Sequence, residues 1–152
     1  MKLLNILNKD GIIAALKAKD KKSVLEELAS SVSKTAGIET KEIVKVLLER
    51  EGLGSTGIGG GIAIPHGKLN SIDSIFVGFG LSRKGIDFDS LDNKPVHIFF
   101  LLITSENSTG IHLKVLARIS KFLKQENFKK SLTKANSREE ILKIIQAIDK
   151  DF

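Results

Sequence analysis

From Ile98 to Ile103 every residue is apolar, inside the run VHIFFLLIT that extends from Val96 to Thr104. A strand with one wet face alternates polar and apolar residues, whereas an unbroken apolar strand is buried on both faces. This run therefore predicts a central strand that needs a covering layer on each side. It falls far short of the ~20 apolar residues that a membrane-spanning helix requires. A chain of 152 residues with 41% hydrophobic and 28% charged residues has enough apolar material for one core. No cysteine is present, so disulfide scaffolds, thiolate metal sites and thiol nucleophiles are excluded.

The flanking segments supply the layers. Residues 20–35 read as a helix: Asp20 is a candidate N-cap, Val24, Leu25, Leu28 and Val32 recur at helical spacing, and Gly37 suits the stop. A second helix is predicted from about Lys41 to Glu51, capped by Thr40, with Ile43, Val44, Leu47 and Leu48 as its buried stripe. The stretch Ile12 to Leu16 is either a short strand or a helical turn. Residues 74–82 (SIFVGFGLS) and 95–104 read as strands, Ile62-Ala63-Ile64 as a short one, and Ile86-Asp87-Phe88 as another before an Asp92-Asn93 turn. Beyond them lie a helix from Ile111 to Leu123 and a last one opened by the capping box Ser137 to Glu140. Helices, then strands, then helices predict an α/β sandwich, with a central mixed β-sheet flanked by helices on both faces. No repeat or linker interrupts the chain, so residues 1–152 are expected to form one domain.

Charge narrows the class of partner. The formal net charge is +6, distributed as +3 over residues 1–50, −2 over 51–112 and +5 over 113–152. The excess sits on amphipathic helices, where Lys most often forms the solvated face. Tyr and Trp are absent, which leaves only Phe for stacking on bases. No nucleic-acid partner is expected. The N-terminal apolar stretch is cut by Asn5, Asn8, Lys9 and Asp10, so no signal-peptide core forms. A cytoplasmic protein without membrane insertion is expected.

Six glycines, at 52, 54, 57, 59, 60 and 61, precede Ile62-Ala63-Ile64-Pro65-His66-Gly67-Lys68. A nucleotide loop would use such glycines, but the spacing fails. The dinucleotide fingerprint breaks at Ile62 when started from Gly57, and at Thr56 when started from Gly54. The P-loop pattern breaks at Ile62, which four residues separate from Gly67-Lys68, and again at Leu69. The histidines are the other chemical candidates. His97 is explained as an ordinary strand histidine. His66 follows a proline of fixed φ and precedes glycine, a rigid mount on which neutral imidazole, with an ordinary pKa of ~6.5, can act as a nucleophile. His112 opens the third predicted helix; it either aims into a site or lies on the surface of the first turn. The three show no metal-ligand spacing, so no metal or cofactor is expected.

The segment Arg50-Glu51-Gly52-Leu53-Gly54-Ser55-Thr56-Gly57-Ile58-Gly59-Gly60-Gly61-Ile62-Ala63-Ile64-Pro65-His66-Gly67-Lys68 resembles the signature of type-2 IIA domains of the phosphoenolpyruvate-dependent phosphotransferase system, the fructose, mannitol and nitrogen-regulatory class. The likeness continues through FDSLDNKPVHIFFLL (Phe88 to Leu102) and the segment from His112 to Ser120. It implies a phosphotransferase that carries tele-phosphohistidine on His66. The donor would be an HPr-like phosphocarrier; the acceptor or partner would be a IIB component or a regulatory target. It further implies that His112 orients the site or donates a hydrogen bond, and that Arg50 neutralises phosphoryl charge. The backbone amides of Gly57, Gly59, Gly60 and Gly61 are expected to bind phosphate. Gly60 departs from the family, which usually has Asn there, so no Asn-mediated contact carries over. The wording GSTGIGGGIAIPHGKL, and a chain that ends at Phe152 without an attached IIB or IIC domain, point to the nitrogen-regulatory branch. Sugar transport of the fructose or mannitol type is the alternative, and a basic nucleic-acid-binding module a distant one.

Overall fold

The computed structural model describes residues 2–149; Met1 and residues 150–152 of the expected 1–152 domain lie outside them. After a single 3-10 turn at Leu3–Asn5, the order is β1 (Leu7–Ile13), α1 (Lys21–Ala36), α2 (Thr40–Glu51), β2 (Gly57–Gly59), β3 (Ile62–Ala63), β4 (His66–Leu69), β5 (Phe76–Ile86), β6 (Val96–Ser105), α3 (Thr109–Leu123), α4 (Glu126–Lys134) and α5 (Arg138–Asp149). The strands form one sheet in the order β1-β5-β6-β3-β2, and β4 also pairs with β6. β1 is parallel to β5, β5 is antiparallel to β6, and β3 and β4 are parallel to β6. The sheet is thus mixed, as expected.

The apolar run is the sheet's central strand. Ile98, Phe100 and Leu102 join the core built with α3, α4 and α5. Phe99, Leu101 and Ile103 join the core built with α1 and α2. Each of these six side chains is at most 2% exposed, a burial worth ~1.5–3 kcal/mol apiece. Edge-to-face ring pairs lock both layers: Phe79 on Phe100 on one side, Phe88 on Phe99 on the other.

The caps follow the sequence in most places. Asp20 accepts the Ser23 N–H at 2.8 Å, and Gly37 ends α1 in the left-handed conformation. Ser137 accepts the Glu140 N–H at 3.1 Å, while Glu140 reaches the Asn136 N–H at 2.8 Å. Thr40 is not a cap: it is already helical, and Glu39 precedes it in extended conformation without a side-chain capping bond. Four further boundaries differ. The Ile12–Leu16 stretch contributes to β1, which begins at Leu7 because parallel pairing with β5 starts there. The predicted strands 74–82 and 86–88 are largely one strand, β5, with a register shift between Leu81 and Ile86. That irregularity lets the exposed Arg83 and Lys84 sit inside a strand. The segment after Leu123 forms a separate short helix, α4. β4 was not expected as a strand at all.

Candidate functional site

β4 places the site. His66 is its first residue and pairs with Leu102 near the far end of β6. Pro65 carries the approach, its carbonyl accepting the Leu102 N–H at 3.0 Å. Gly67 is required by packing: a Cβ there would stand 2.9 Å from Val46 Cγ2 on α2. Its absence lets α2 lie close against β4, which brings Arg50, in the last turn of α2, over His66. His112 arrives from the other side, in the first turn of α3 just after β6.

The two imidazoles meet edge-to-face, with ring centroids 5.3 Å apart and an interplanar angle of 65°. His66 Nδ1 lies 2.8 Å from the Ile64 carbonyl oxygen, an acceptor, so Nδ1 carries the proton. Nε2 is therefore the nitrogen with the lone pair, and Arg50 Nε–H donates to it at 3.2 Å. Arg50 Nη1 donates to the Gly54 carbonyl at 2.8 Å, which holds the guanidinium in place. His112 is 4% exposed, and its Nδ1 lies 2.7 Å from Thr104 Oγ1. Lys68 completes the set, its Nζ donating to Thr109 Oγ1 at 3.0 Å. Arg50, Leu53, His66, Lys68 and His112 line an open cavity of about 420 Å³.

The electrostatics keep both rings neutral. Burial lowers the His66 pKa, and Arg50 and Lys68 add to that; the hydrogen bond to Ile64 and the charge of Glu51 oppose it. Burial, then His66 and Lys68, push His112 down to about 4. The cavity thus presents two neutral imidazoles between two fixed cations. That set receives an anion readily and leaves Nε2 of His66 as a nucleophile.

Of the residues singled out by sequence, Arg50, His66 and His112 come together here. The glycines do not. Gly57, Gly59, Gly60 and Gly61 belong to the β2–β3 hairpin, which pairs with β6 at Ile98 and Phe99 rather than at Leu102. The Gly60 N–H is donated to Asp92 at 3.1 Å, and Gly57 N–H to Ser55 Oγ at 3.0 Å. Gly59, Gly60 and Gly61 all take positive φ, so their glycines serve the hairpin turn. His97 stands at the opposite end of β6 and is half-buried, its Nδ1 2.9 Å from the Ser82 carbonyl oxygen.

Three contributors were missed. Lys68 had a signal, as the residue after His66-Gly67. Thr104 had none: the turn from the end of β6 into α3 is what brings its hydroxyl onto His112, eight residues further along the chain. Glu51 is 8% exposed and joins three segments. It accepts from Thr56 N at 3.0 Å, from Thr56 Oγ1, and from Lys21 Nζ at 3.0 Å. It thereby pins the start of the glycine segment beside Arg50.

Comparison with known proteins identifies the family. The family model described as phosphoenolpyruvate-dependent sugar phosphotransferase system, EIIA 2, matches residues 5–148. A nitrogen regulatory protein of Bradyrhizobium diazoefficiens is 37% identical over 145 residues, covering 95% of each chain. The fructose-specific EIIABC component of Bacillus subtilis is 37% identical over 151 residues, 99% of this chain but 24% of that protein. The crystal structure of nitrogen regulatory protein IIA-Ntr from Neisseria meningitidis superposes with a TM-score of 0.88 at 33% identity, covering 93% of this chain and 97% of that one.

Proposed function

This chain belongs to the EIIA 2 family of the phosphoenolpyruvate-dependent sugar phosphotransferase system, and on that premise we propose that it carries a phosphoryl group on Nε2 of His66 in the nitrogen-regulatory branch. The observation that carries the reading is the pinned tautomer: Nδ1–H held on the Ile64 carbonyl, Nε2 open beside Arg50. In the proposed step, Nε2 attacks the phosphorus of phosphohistidine on an HPr-like donor. The new N–P bond forms as the donor's N–P bond breaks, and the donor imidazole leaves with the bonding pair. His66 keeps its Nδ1 proton throughout. Arg50 turns its N–H groups from the lone pair to the phosphoryl oxygens, and Lys68 offsets their charge from the other side. Such a transfer depends mainly on positioning and charge neutralisation. His112, neutral and fixed by Thr104, contacts the phosphoryl oxygens through its second nitrogen.

Incubation with phosphoenolpyruvate, enzyme I and HPr, followed by mass spectrometry, is expected to show one acid-labile phosphate. Its loss in His66→Ala is the expected outcome; unchanged labelling of that variant would overturn the assignment. The equal identity to a fructose-specific EIIABC component supports a second reading, sugar transport. Onward transfer to a sugar-specific IIB protein would favour it. Phosphate retained on His66, with a binding partner that changes on phosphorylation, would favour regulation.

A further inference from the structure

A second cavity, of about 630 Å³, opens at the other end of the sheet. Its walls are the loop after β1 (residues 15–19) and the irregular end of β5 (82–85). Ile86, next to it, pairs with Val96 at the start of β6, whereas His66 pairs with Leu102. Six residue steps along β6, roughly 20 Å, therefore separate the two sites. Four cations line this cavity, Lys17, Lys19, Arg83 and Lys84, and no carboxylate does. Lys17, Lys19 and Lys84 make no ion pair among the described residues.

The scaffold around these cations is fixed. The Leu16 N–H is bonded to the Leu81 carbonyl at 2.9 Å. Glu27 stands behind the loop, its carboxylate taken by the Lys17 and Ala18 amides at 2.9–3.1 Å. The Arg83 guanidinium donates to the Thr133 and Ala135 carbonyls and to Asn136 Oδ1. None of those acceptors is charged, so its positive charge remains uncompensated. Ser82 lies buried in the wall; its hydroxyl accepts the Gly85 N–H at 3.1 Å, which leaves its own proton for a ligand. Ala15, Leu16 and Ala18 supply the apolar part.

We propose that this cleft binds a small molecule bearing two or more phosphate groups, at a site separate from the histidine pair. Its volume is that of a small-molecule pocket. Four cations with no ion-pair partner among the described residues exceed what a single phosphate would neutralise, even with the Glu27 carboxylate behind the loop. No aromatic side chain lines the cleft, so it offers no stacking platform for bases and recognition rests on the phosphates. The proposal does not depend on the phosphoryl-carrier reading.

The test is a titration of the ¹⁵N-labelled full chain with ATP, ADP, AMP, adenosine, inorganic pyrophosphate and a DNA duplex. Amide shifts are expected at residues 15–19 and 82–85, with affinity falling from ATP to AMP and no binding of adenosine. Pyrophosphate equal to ADP would identify a pure phosphate site; ADP tighter than pyrophosphate would identify a nucleotide site. Both support the proposal. The triple variant Lys17→Gln, Lys19→Gln, Lys84→Gln is expected to weaken ATP binding about tenfold, with labelling of His66 unchanged. The proposal is overturned if shifts are absent from this cleft, or centre on Arg50, His66 and Lys68. Binding of the duplex alone, or a triple variant that binds as tightly as the parent, would overturn it equally.

Discussion

His66 is held by two hydrogen bonds of opposite sense, and each makes the ring answerable to a different neighbour. The Ile64 carbonyl fixes the proton on Nδ1, and Arg50 tests the lone pair on Nε2. Replacement of Arg50 by Gln should leave the fold intact and slow labelling by about 10²–10³-fold, the usual cost of losing one charge-stabilising donor; rapid-quench labelling would measure it. Glu51 acts on the same ring through its charge, which raises the His66 pKa. Glu51→Gln should therefore lower that pKa further, followed as the pH dependence of the His66 ring resonances. An unchanged midpoint would show that Glu51 only braces the loop. His66 and Arg50 were legible at this scale because the chemistry lies in a contiguous segment. Thr104 was not: nothing local distinguishes it from any threonine ending a strand.

Among the elements, the contact of α2 with β4 decides whether Arg50 reaches His66. Gly67 makes that contact, with Val46 facing the place where a side chain would begin. Gly67→Ala should cost about 1–3 kcal/mol through overpacking, seen as a lower urea midpoint. Adding Val46→Ala should recover part of the loss, because the offending Cγ2 is removed. The helices and long apolar strands could be read from periodicity, since both faces of β6 and one stripe of each helix are buried. β4 could not. Its residues His66-Gly67-Lys68-Leu69 carry no strand pattern, and its pairing with β6 is imposed by the rest of the sheet. The glycine segment misled for the opposite reason. Its composition suits an anion loop, yet Gly59 to Gly61 satisfy the backbone demands of a tight hairpin, and Asp92 takes the Gly60 amide.

Across the whole molecule, the histidine pair links stability to pH. The His112 pKa falls from an ordinary 6.5 unfolded to about 4 folded. Between those values the unfolded chain binds a proton that the folded chain does not, so stability falls as pH drops through that window. His66, also lowered, adds in the same direction. The loss attributable to His112 is on the order of 3 kcal/mol between pH 7 and pH 4. Urea unfolding at pH 7 and pH 4 should show it, and His112→Gln should flatten the slope; a slope that survives the substitution would place its origin elsewhere.

β6 has a kinetic consequence of its own. The backbone at Leu102 and Ile103 is covered by helices on both faces and paired on both edges, with β5 on one side and β4 on the other. Its amides should exchange with deuterium only when the entire chain opens. The reactive pair hangs from that segment, so catalytic geometry and global folding should be lost in the same event. Loop fraying at Leu53 would then leave the imidazoles facing each other.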